Sequence, residues 1–516
     1  MSFRRRVALA LLFALLLVLA FPFRAGELRF DLGLFAGWLA VAPLAALLRE
    51  LSPRAAFQWT FFSSWLGFTG ILFWLYVVVT VHGGAPAVAG VGAVLVVAGV
   101  FALHAAAAGA LSAWLAPRVG RAGVLVLPAA WLVVEHLRGF DFLGGFQWAS
   151  LGYAAHLDLP MLGLASLSGV YGLTFVLALV GTLLGVGRWP SALAAFAAAH
   201  ALGWVALPSA SDLEAPRAPP LRVAIVQGNI PQGEKWDPAR AQQNLAVHIE
   251  LSRVAVAERP DLILWPEAAI PGFIEVQAAF REPILALTRE LDVPLVVGGV
   301  GLTRVSDARE ALFHNSLFVV TPTAGVVDRY DKSVLVPFGE YVPLRALLGF
   351  LSAVAASLAD LADLTAGPAV RPLHGLAAFE PGQTPVGLIC YEAVYPDLVR
   401  AAVRAGARLL LNLTNDAWYG RSSAPHQFLA IAALRSAEHG LPMLRAANTG
   451  VSAVVDARGV VLQETPIFER LTFTVDVPPG RKTPTFYTRV GDWPIAASWL
   501  TLAGCAGAVL IRRRAV

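Results

Sequence analysis

Eight apolar runs dominate this chain. They cover about 7–23, 30–48, 56–80, 87–116, 122–137, 160–186, 190–207 and 493–511. Each is long enough, or nearly so, to cross roughly 30 Å of hydrocarbon. The run 87–116 is over-long and is expected to tilt or to extend past the bilayer. Charge divides the chain in the same way. Of its 74 charged residues only 17 fall in 1–207, and the other 57 lie in 208–516. The sequence therefore predicts about eight transmembrane helices, seven before residue 208 and one at the end, with a water-soluble domain between. Charged residues make up 14% of the chain, against roughly 25% in an ordinary globular protein, and the mean hydropathy is +0.65. These values exclude a disordered chain, a coiled coil and a wholly soluble enzyme.

Loop arginines set the orientation. With the N-terminus in the cytoplasm, the inner segments hold Arg4, Arg5, Arg6, Arg49, Arg54, Arg118, Arg121, Arg188, Arg512, Arg513 and Arg514. The outer loops of the first seven helices hold only Arg24, Arg29 and Arg138. Positive charge favours the inner side, so both termini are predicted cytoplasmic and the middle domain outside. The first run resembles a signal peptide, but Ala20-Phe21-Pro22 is a poor cleavage site, and a retained helix is expected. The net charge of +4 is too scattered to suggest a nucleic-acid partner.

A linker at 208–220, rich in Pro and Ala, marks a boundary. The predicted domains are a membrane region 1–207, this linker, a catalytic domain 221–485, and a terminal helix with basic tail 486–516. Within the third unit, short β-branched runs (221–227, 261–265, 293–299, 315–320, 385–390, 408–413, 443–447, 451–456) alternate with helical stretches (238–258, 275–291, 394–405, 425–439). Strands apolar almost throughout imply a covered sheet in an α/β layered domain.

No H-E-x-x-H, C-x-x-C or phosphate-loop motif is present, and the ten His are dispersed, so no metal or cofactor is expected. Gly90 and Gly92 lie inside a membrane run and read as helix packing. The two cysteines, Cys390 and Cys505, read as unpaired. Three residues carry chemistry. Glu267 follows an apolar strand in Trp-Pro-Glu, where open α/β sheets place their sites. Lys332 is one of three lysines after residue 220, in a domain whose general cation is Arg. Cys390 ends an apolar strand just before the polar Tyr391 and Glu392. Each alone reads more simply as a loop acid, a solvated turn and an inert packed thiol. Together they make an acyl-transfer set: a thiol nucleophile, a carboxylate base and an ammonium for the oxyanion.

At these residues the sequence resembles the nitrilase superfamily, with its Glu-Lys-Cys triad and four-layer αββα sandwich. More narrowly, it resembles the bacterial apolipoprotein N-acyltransferases, which join such a domain to a membrane bundle. The resemblance rests on Gln227-Gly228-Asn229-Ile230-Pro231-Gln232 with Lys235-Trp236, Trp265-Pro266-Glu267, and Val336-Pro337-Phe338-Gly339-Glu340-Tyr341-Val342-Pro343. It continues through Cys390-Tyr391-Glu392, Asn415-Asp416-Ala417-Trp418-Tyr419-Gly420 and Tyr487-Thr488-Arg489-Val490-Gly491-Asp492-Trp493. It implies that Glu267 is the general base, Lys332 the oxyanion stabiliser and Cys390 the nucleophile. It further implies that Glu340 orients the lysine or the incoming amine, that Glu392 supports the pocket, and that Tyr391 walls the sulfur. Trp236 and Trp418 would contact lipid from an arm or pocket wall. The stretch 359–368 departs from the family pattern and concerns only the substrate arm.

The resemblance implies a phospholipid acyl donor, typically phosphatidylethanolamine, and diacylated apolipoproteins as acceptors. It also implies a monomer in the bacterial inner membrane. Apolar residues 346–358 are expected to dip into lipid as an arm. Two other readings stand beside this one. A membrane-tethered amidase would use the same triad for hydrolysis. A transporter with an outer binding domain would need acids buried in its helices, and the runs offer only Glu135 and Asp31, near helix ends.

Overall fold

The computed structural model describes residues 1–140, 145–215, 219–304, 311–341, 364–376 and 384–514. The arm expected at 346–358 and the first half of 359–368 lie outside these residues. Helices form over all eight apolar runs: Phe3–Leu19, Gly33–Leu39 continuing into Val41–Leu48, Pro53–Ile71, Ala87–Leu115, Val126–Leu137, Leu159–Gly185, Trp189–Ala206 and Trp493–Arg514. Among the described residues, four of the spans are long and apolar enough to cross a membrane on their own. A fifth is met if Pro53–Ile71 and Leu75–His82, bent by 63°, count as one. The single straight crossing expected over 56–80 is thus broken in two. Gly90 does pack closely, since a Cβ there would meet Thr80 and Tyr76, but Gly92 faces open space and has no packing role.

Between the first two membrane helices a small hairpin forms from β1 (Phe23–Ala25) and β2 (Leu28–Phe30). The soluble part builds two sheets. The six-stranded one joins β3 (Arg222–Gln227), β4 (Leu262–Leu264), β5 (Leu295–Arg304), β6 (Ala311–Thr321), β7 (Gly325–Asp331) and β13 (Leu471–Asp476) in the order β13-β3-β4-β5-β6-β7. The five-stranded one joins β8 (Pro385–Ile389), β9 (Leu409–Thr414), β10 (Met443–Ala447), β11 (Ala453–Val455) and β12 (Val461–Glu464) in the order β12-β11-β10-β9-β8.

Side-chain alternation along the strands makes the layers. Val223, Ile225, Leu262, Leu264, Val296, Leu317 and Val319 share one core with Val386, Leu388, Leu409, Leu411 and Met443 of the other sheet. Their neighbours Ala224, Val226, Ile263, Leu295, Val297 and Phe318 turn the opposite way. They pack on Leu245 of the helix Ala241–Ala255 and on Phe280, Ile284 and Leu287 of the helix Ala278–Leu291. The helices Pro396–Arg404 and Ala424–His439 cover the five-stranded sheet, which completes an αββα sandwich. All 16 residues of Ala424–His439 are buried, because the membrane helix Leu159–Gly185 covers its other side.

Candidate active site

Strand direction brings the site together. β3, β4 and β5 run parallel. β7, two antiparallel steps beyond β5, points the same way, and β8, β9 and β10 are parallel in the facing sheet. Residues that follow the C-terminal ends of β4, β7, β8 and β9 therefore gather at one edge of the sandwich, the usual place for a site in such sheets.

Glu267 follows β4, Lys332 follows β7 and Glu340 lies eight residues on. Lys332 is 1% exposed; its Nζ lies 2.9 Å from the Glu340 carboxylate and 3.5 Å from Glu267 Oε1. Asn315 of β6 ties the two acids together, its Nδ2 donating at 2.7 Å to Glu267 Oε1 and to Glu340 Oε1. The remaining oxygens are also held. The backbone N–H of Asn415 donates to Glu267 Oε2, and that of Val336 to Glu340 Oε2, each at 2.7 Å. Burial disfavours the Lys332 ammonium, but Glu340 and then Glu267 outweigh it and carry its pKa well above the ordinary lysine value.

Cys390 begins the short turn Cys390–Val394 with φ of +49°. A left-handed backbone is uncommon outside Gly, and here it ends β8 abruptly and turns the thiol off the strand. The residue is 7% exposed. Burial, then the charge of Glu267, pushes the thiol well above its usual range, while Lys332 pulls the other way. Burial and Glu267 both favour the protonated thiol. Cys505 is also a free cysteine, on the last helix.

Glu392 sits beneath the turn. Its Oε1 accepts from Tyr330 Oη (2.7 Å), Ser333 N (2.7 Å) and Ser333 Oγ (2.9 Å), and its Oε2 accepts from Ile389 N at 2.8 Å. It thus fastens the Lys332 loop to the Cys390 turn. Tyr391 is buried, edge-on to Tyr395 and near the Phe146 ring. Trp236 is half-buried, just after the short helix Gln232–Lys235. Trp418 is half-buried and meets the His82 ring edge-on. Glu135, one of the two acids inside the membrane runs, accepts from Trp131, Leu151 and Thr174 and so cross-links three segments of the bundle.

Two features escaped the sequence reading. Asn315 lies within the run 315–320, and an Asn inside an apolar strand is itself a signal. The fully buried pair Asp416–Arg445, at 2.8 Å, stands behind β9, with Thr414 Oγ1 donating to Asp416 at 2.8 Å. Among the described residues no group of three or more His, Cys, Asp or Glu is placed to hold a metal.

Comparison with known proteins decides the family. Residues 222–485 match the carbon-nitrogen hydrolase family, and residues 13–183 match the apolipoprotein N-acyltransferase N-terminal domain. The apolipoprotein N-acyltransferase of Geobacter metallireducens is 35% identical over 99% of this chain and 96% of its own length. That of Methylococcus capsulatus is 34% identical over 93% of each. The chain belongs to the apolipoprotein N-acyltransferase family. An amidase of Nesterenkonia from the nitrilase superfamily superposes with a TM-score of 0.38 at 19% identity, covering 54% of this chain and 97% of its own. Membership fits both halves of the chain, the αββα sandwich and the apolar helices joined to it.

Proposed function

We propose that this protein moves an acyl chain from a membrane phospholipid, through a thioester on Cys390, to the N-terminal amine of diacylglyceryl-cysteine apolipoproteins. The observation that carries the reading is the buried Glu267–Lys332–Glu340 cluster at the strand ends beside a cysteine that turns off β8. The acyl chains of both substrates explain the membrane helices. Each buried CH₂ contributes about 0.8 kcal/mol, so a soluble domain would have to lift the lipid out of the bilayer to reach its ester.

In the first half-reaction Cys390 gives its proton to Glu267 as sulfur attacks the ester carbonyl. The tetrahedral oxyanion forms beside the Lys332 ammonium, whose charge Glu340 holds in place. Collapse breaks the C–O bond, and the leaving glycerol oxygen takes the proton from Glu267 and departs as a lysophospholipid. In the second half a neutral α-amine attacks the thioester and gives its proton to Glu267. The C–S bond breaks, the thiol is reprotonated from Glu267, and an amide remains. Release of one product before the second substrate reacts predicts ping-pong kinetics.

The reading also covers placement. The protein is a multi-pass bacterial inner-membrane protein, with about eight crossings, both termini cytoplasmic and the sandwich in the periplasm. Its units are 1–207, the linker 208–220, 221–485 and 486–516. Phosphatidylethanolamine is the proposed donor, and the protein acts as a monomer. Tyr391, Trp236 and Trp418 line the lipid side, and Glu392 supports the turn. The deciding test incubates the purified protein with phospholipid alone. Intact-mass analysis should find one acyl group on Cys390, and none after Cys390→Ala. An unmodified Cys390 beside released fatty acid would favour hydrolysis.

A further inference from the structure

Lys235 is a buried cation that this mechanism leaves unused. It ends the helix Gln232–Lys235 after β3 and is 3% exposed. Its Nζ donates to the backbone carbonyl of Glu267 at 2.9 Å. Among the described residues no carboxylate lies within 4.0 Å of it. An ammonium carries three N–H donors, and that carbonyl takes one. Lys332 is different, because its charge is already matched by Glu340 and Glu267. A buried charge without a counter-ion is costly, and the cost shows. Burial pulls Lys235 down to about 8, against the attraction of Glu267 and Cys390.

The surrounding groups are few. Glu267 faces it from the turn after β4, and Cys390 from the turn after β8. His248 faces it from the helix Ala241–Ala255; burial holds that ring down to about 4, so it is uncharged at neutral pH. Arg470 lies beyond His248 and donates to the Gly228 carbonyl at 3.3 Å. Lys332 and Asp416 act on Cys390 from the remaining sides, and Glu340 acts on Lys332.

We propose that Lys235 is a positioning residue that holds the Glu267 turn by its carbonyl and supplies the unpaired positive charge that attack by Cys390 requires. This rests on the reading of Cys390 as nucleophile. With Lys235 charged, Glu267 and Glu340 balance Lys332 and Lys235. The four groups and the thiol then sum to zero. The sum stays at zero when the proton moves to Glu267 and negative charge passes to sulfur and then to the acyl oxygen. With Lys235 neutral, the same cluster carries one excess negative charge throughout, which opposes the anionic intermediate. The charge is complete well below pH 8 and is lost as pH rises through it.

The test is single-turnover acylation of Cys390 by phospholipid vesicles, followed by intact mass from pH 6.5 to 9.5. It uses the full-length protein in detergent and its Lys235→Met and Lys235→Arg variants. Wild type should show a falling limb with its midpoint near pH 8. Lys235→Met should lose that limb and acylate on the order of 100-fold more slowly, the effect of removing one oxyanion donor. Lys235→Arg, whose guanidinium stays charged, should lie between in rate with no limb in this range. Absence of any adduct on wild type overturns both this inference and the role of Cys390. An adduct on wild type with Lys235→Met matching its rate and midpoint overturns the Lys235 inference alone. If Lys235→Met does not fold, Lys235→Arg decides, and a wild-type midpoint in that variant rejects the inference.

Discussion

Asn315 shows how much of this site depends on a neutral side chain. Its amide nitrogen spends both hydrogens on carboxylates, one on Glu267 and one on Glu340. Hydrogen bonds to charged groups contribute about 1.5–3 kcal/mol. Asn315→Ala should therefore slow acylation of Cys390 by roughly 10- to 100-fold and also lower the unfolding midpoint, because two buried carboxylates each lose a donor. Asn315→Asp should be worse, because it sets a third carboxylate against the first two. Glu340→Gln keeps the shape and removes the charge. Lys332 would then lean on Glu267 alone, drawing the base into an ion pair. The expected loss is about 100-fold in kcat, with KM for lipid nearly constant; a change confined to KM would assign Glu340 to substrate binding. Glu267 and Cys390 stood out in the sequence because each sets a reactive residue type at the end of an apolar run, and Lys332 because lysine is rare in a domain whose general cation is Arg. Asn315 and the Asp416–Arg445 pair were not, because their roles depend on which strands become neighbours. Lys235 stood out as one lysine of three after residue 220 and beside Trp236 in a motif of the resemblance, with no role attached to it.

At the scale of elements, the buried strands were readable and the exposed edges were not. β3, β4, β5, β9 and β10 are flanked on both sides and read as apolar runs; β8 ends the five-stranded sheet but is buried throughout, and it reads the same way. β7, β12 and β13 are edge strands with one unpaired side. They carry Asp328, Arg329, Asp331, Gln463, Glu464 and Asp476, and such polarity hides a strand while guarding its free edge. Helix breaks were hidden for another reason, since their partners are remote. Gly70 stands just before the bend after Ile71, and the Ile71 carbonyl accepts from Gln427 of the sandwich at 3.3 Å. Within Leu159–Gly185, Gly169 takes φ 62° and ψ −176°, a region open essentially to Gly alone. The Val170 N–H released there donates to Glu438 at 2.8 Å. A Cβ at 169 would collide with the Tyr487 ring. Gly169→Ala should destabilise the protein by roughly 2 kcal/mol or more, measured as a lowered unfolding midpoint in detergent. An unchanged midpoint would mean that the break is not strained.

Across the whole molecule, the sandwich and the helices share one buried element. At one end of Ala424–His439, Ser423 and His426 meet Arg24 of the β1–β2 hairpin, and Gln427 accepts from Trp148. At the other end Arg435 pairs with Glu438 at 3.1 Å, both fully buried, and His439 Nδ1 bonds Thr488 Oγ1 at 2.8 Å just before the last helix. This interface should be sensitive to acid. Burial first, then Arg29 and Arg24, pulls His426 down to about 4. Burial, then Arg435 and Arg400, pulls His439 down to about 3. In the unfolded chain each would titrate near 6.5. Above that pH neither state binds the proton and nothing is lost. As pH falls from about 6.5 towards 4, the unfolded chain gains protons that the folded one refuses, so stability falls. One unit below 6.5 the cost is about 1.4 kcal/mol for each ring. Glu438, which burial raises to about 7, acts in the opposite sense over this range, so the rings are read by difference: their own contribution should lower the unfolding midpoint in detergent by several degrees between pH 7.5 and 5.5. His439→Gln can still bond Thr488 but cannot titrate, and it should remove part of that drop, with His426→Gln removing a further part. If both variants keep the full wild-type drop, acid acts elsewhere, and these rings do not couple the sandwich to its membrane helices through charge.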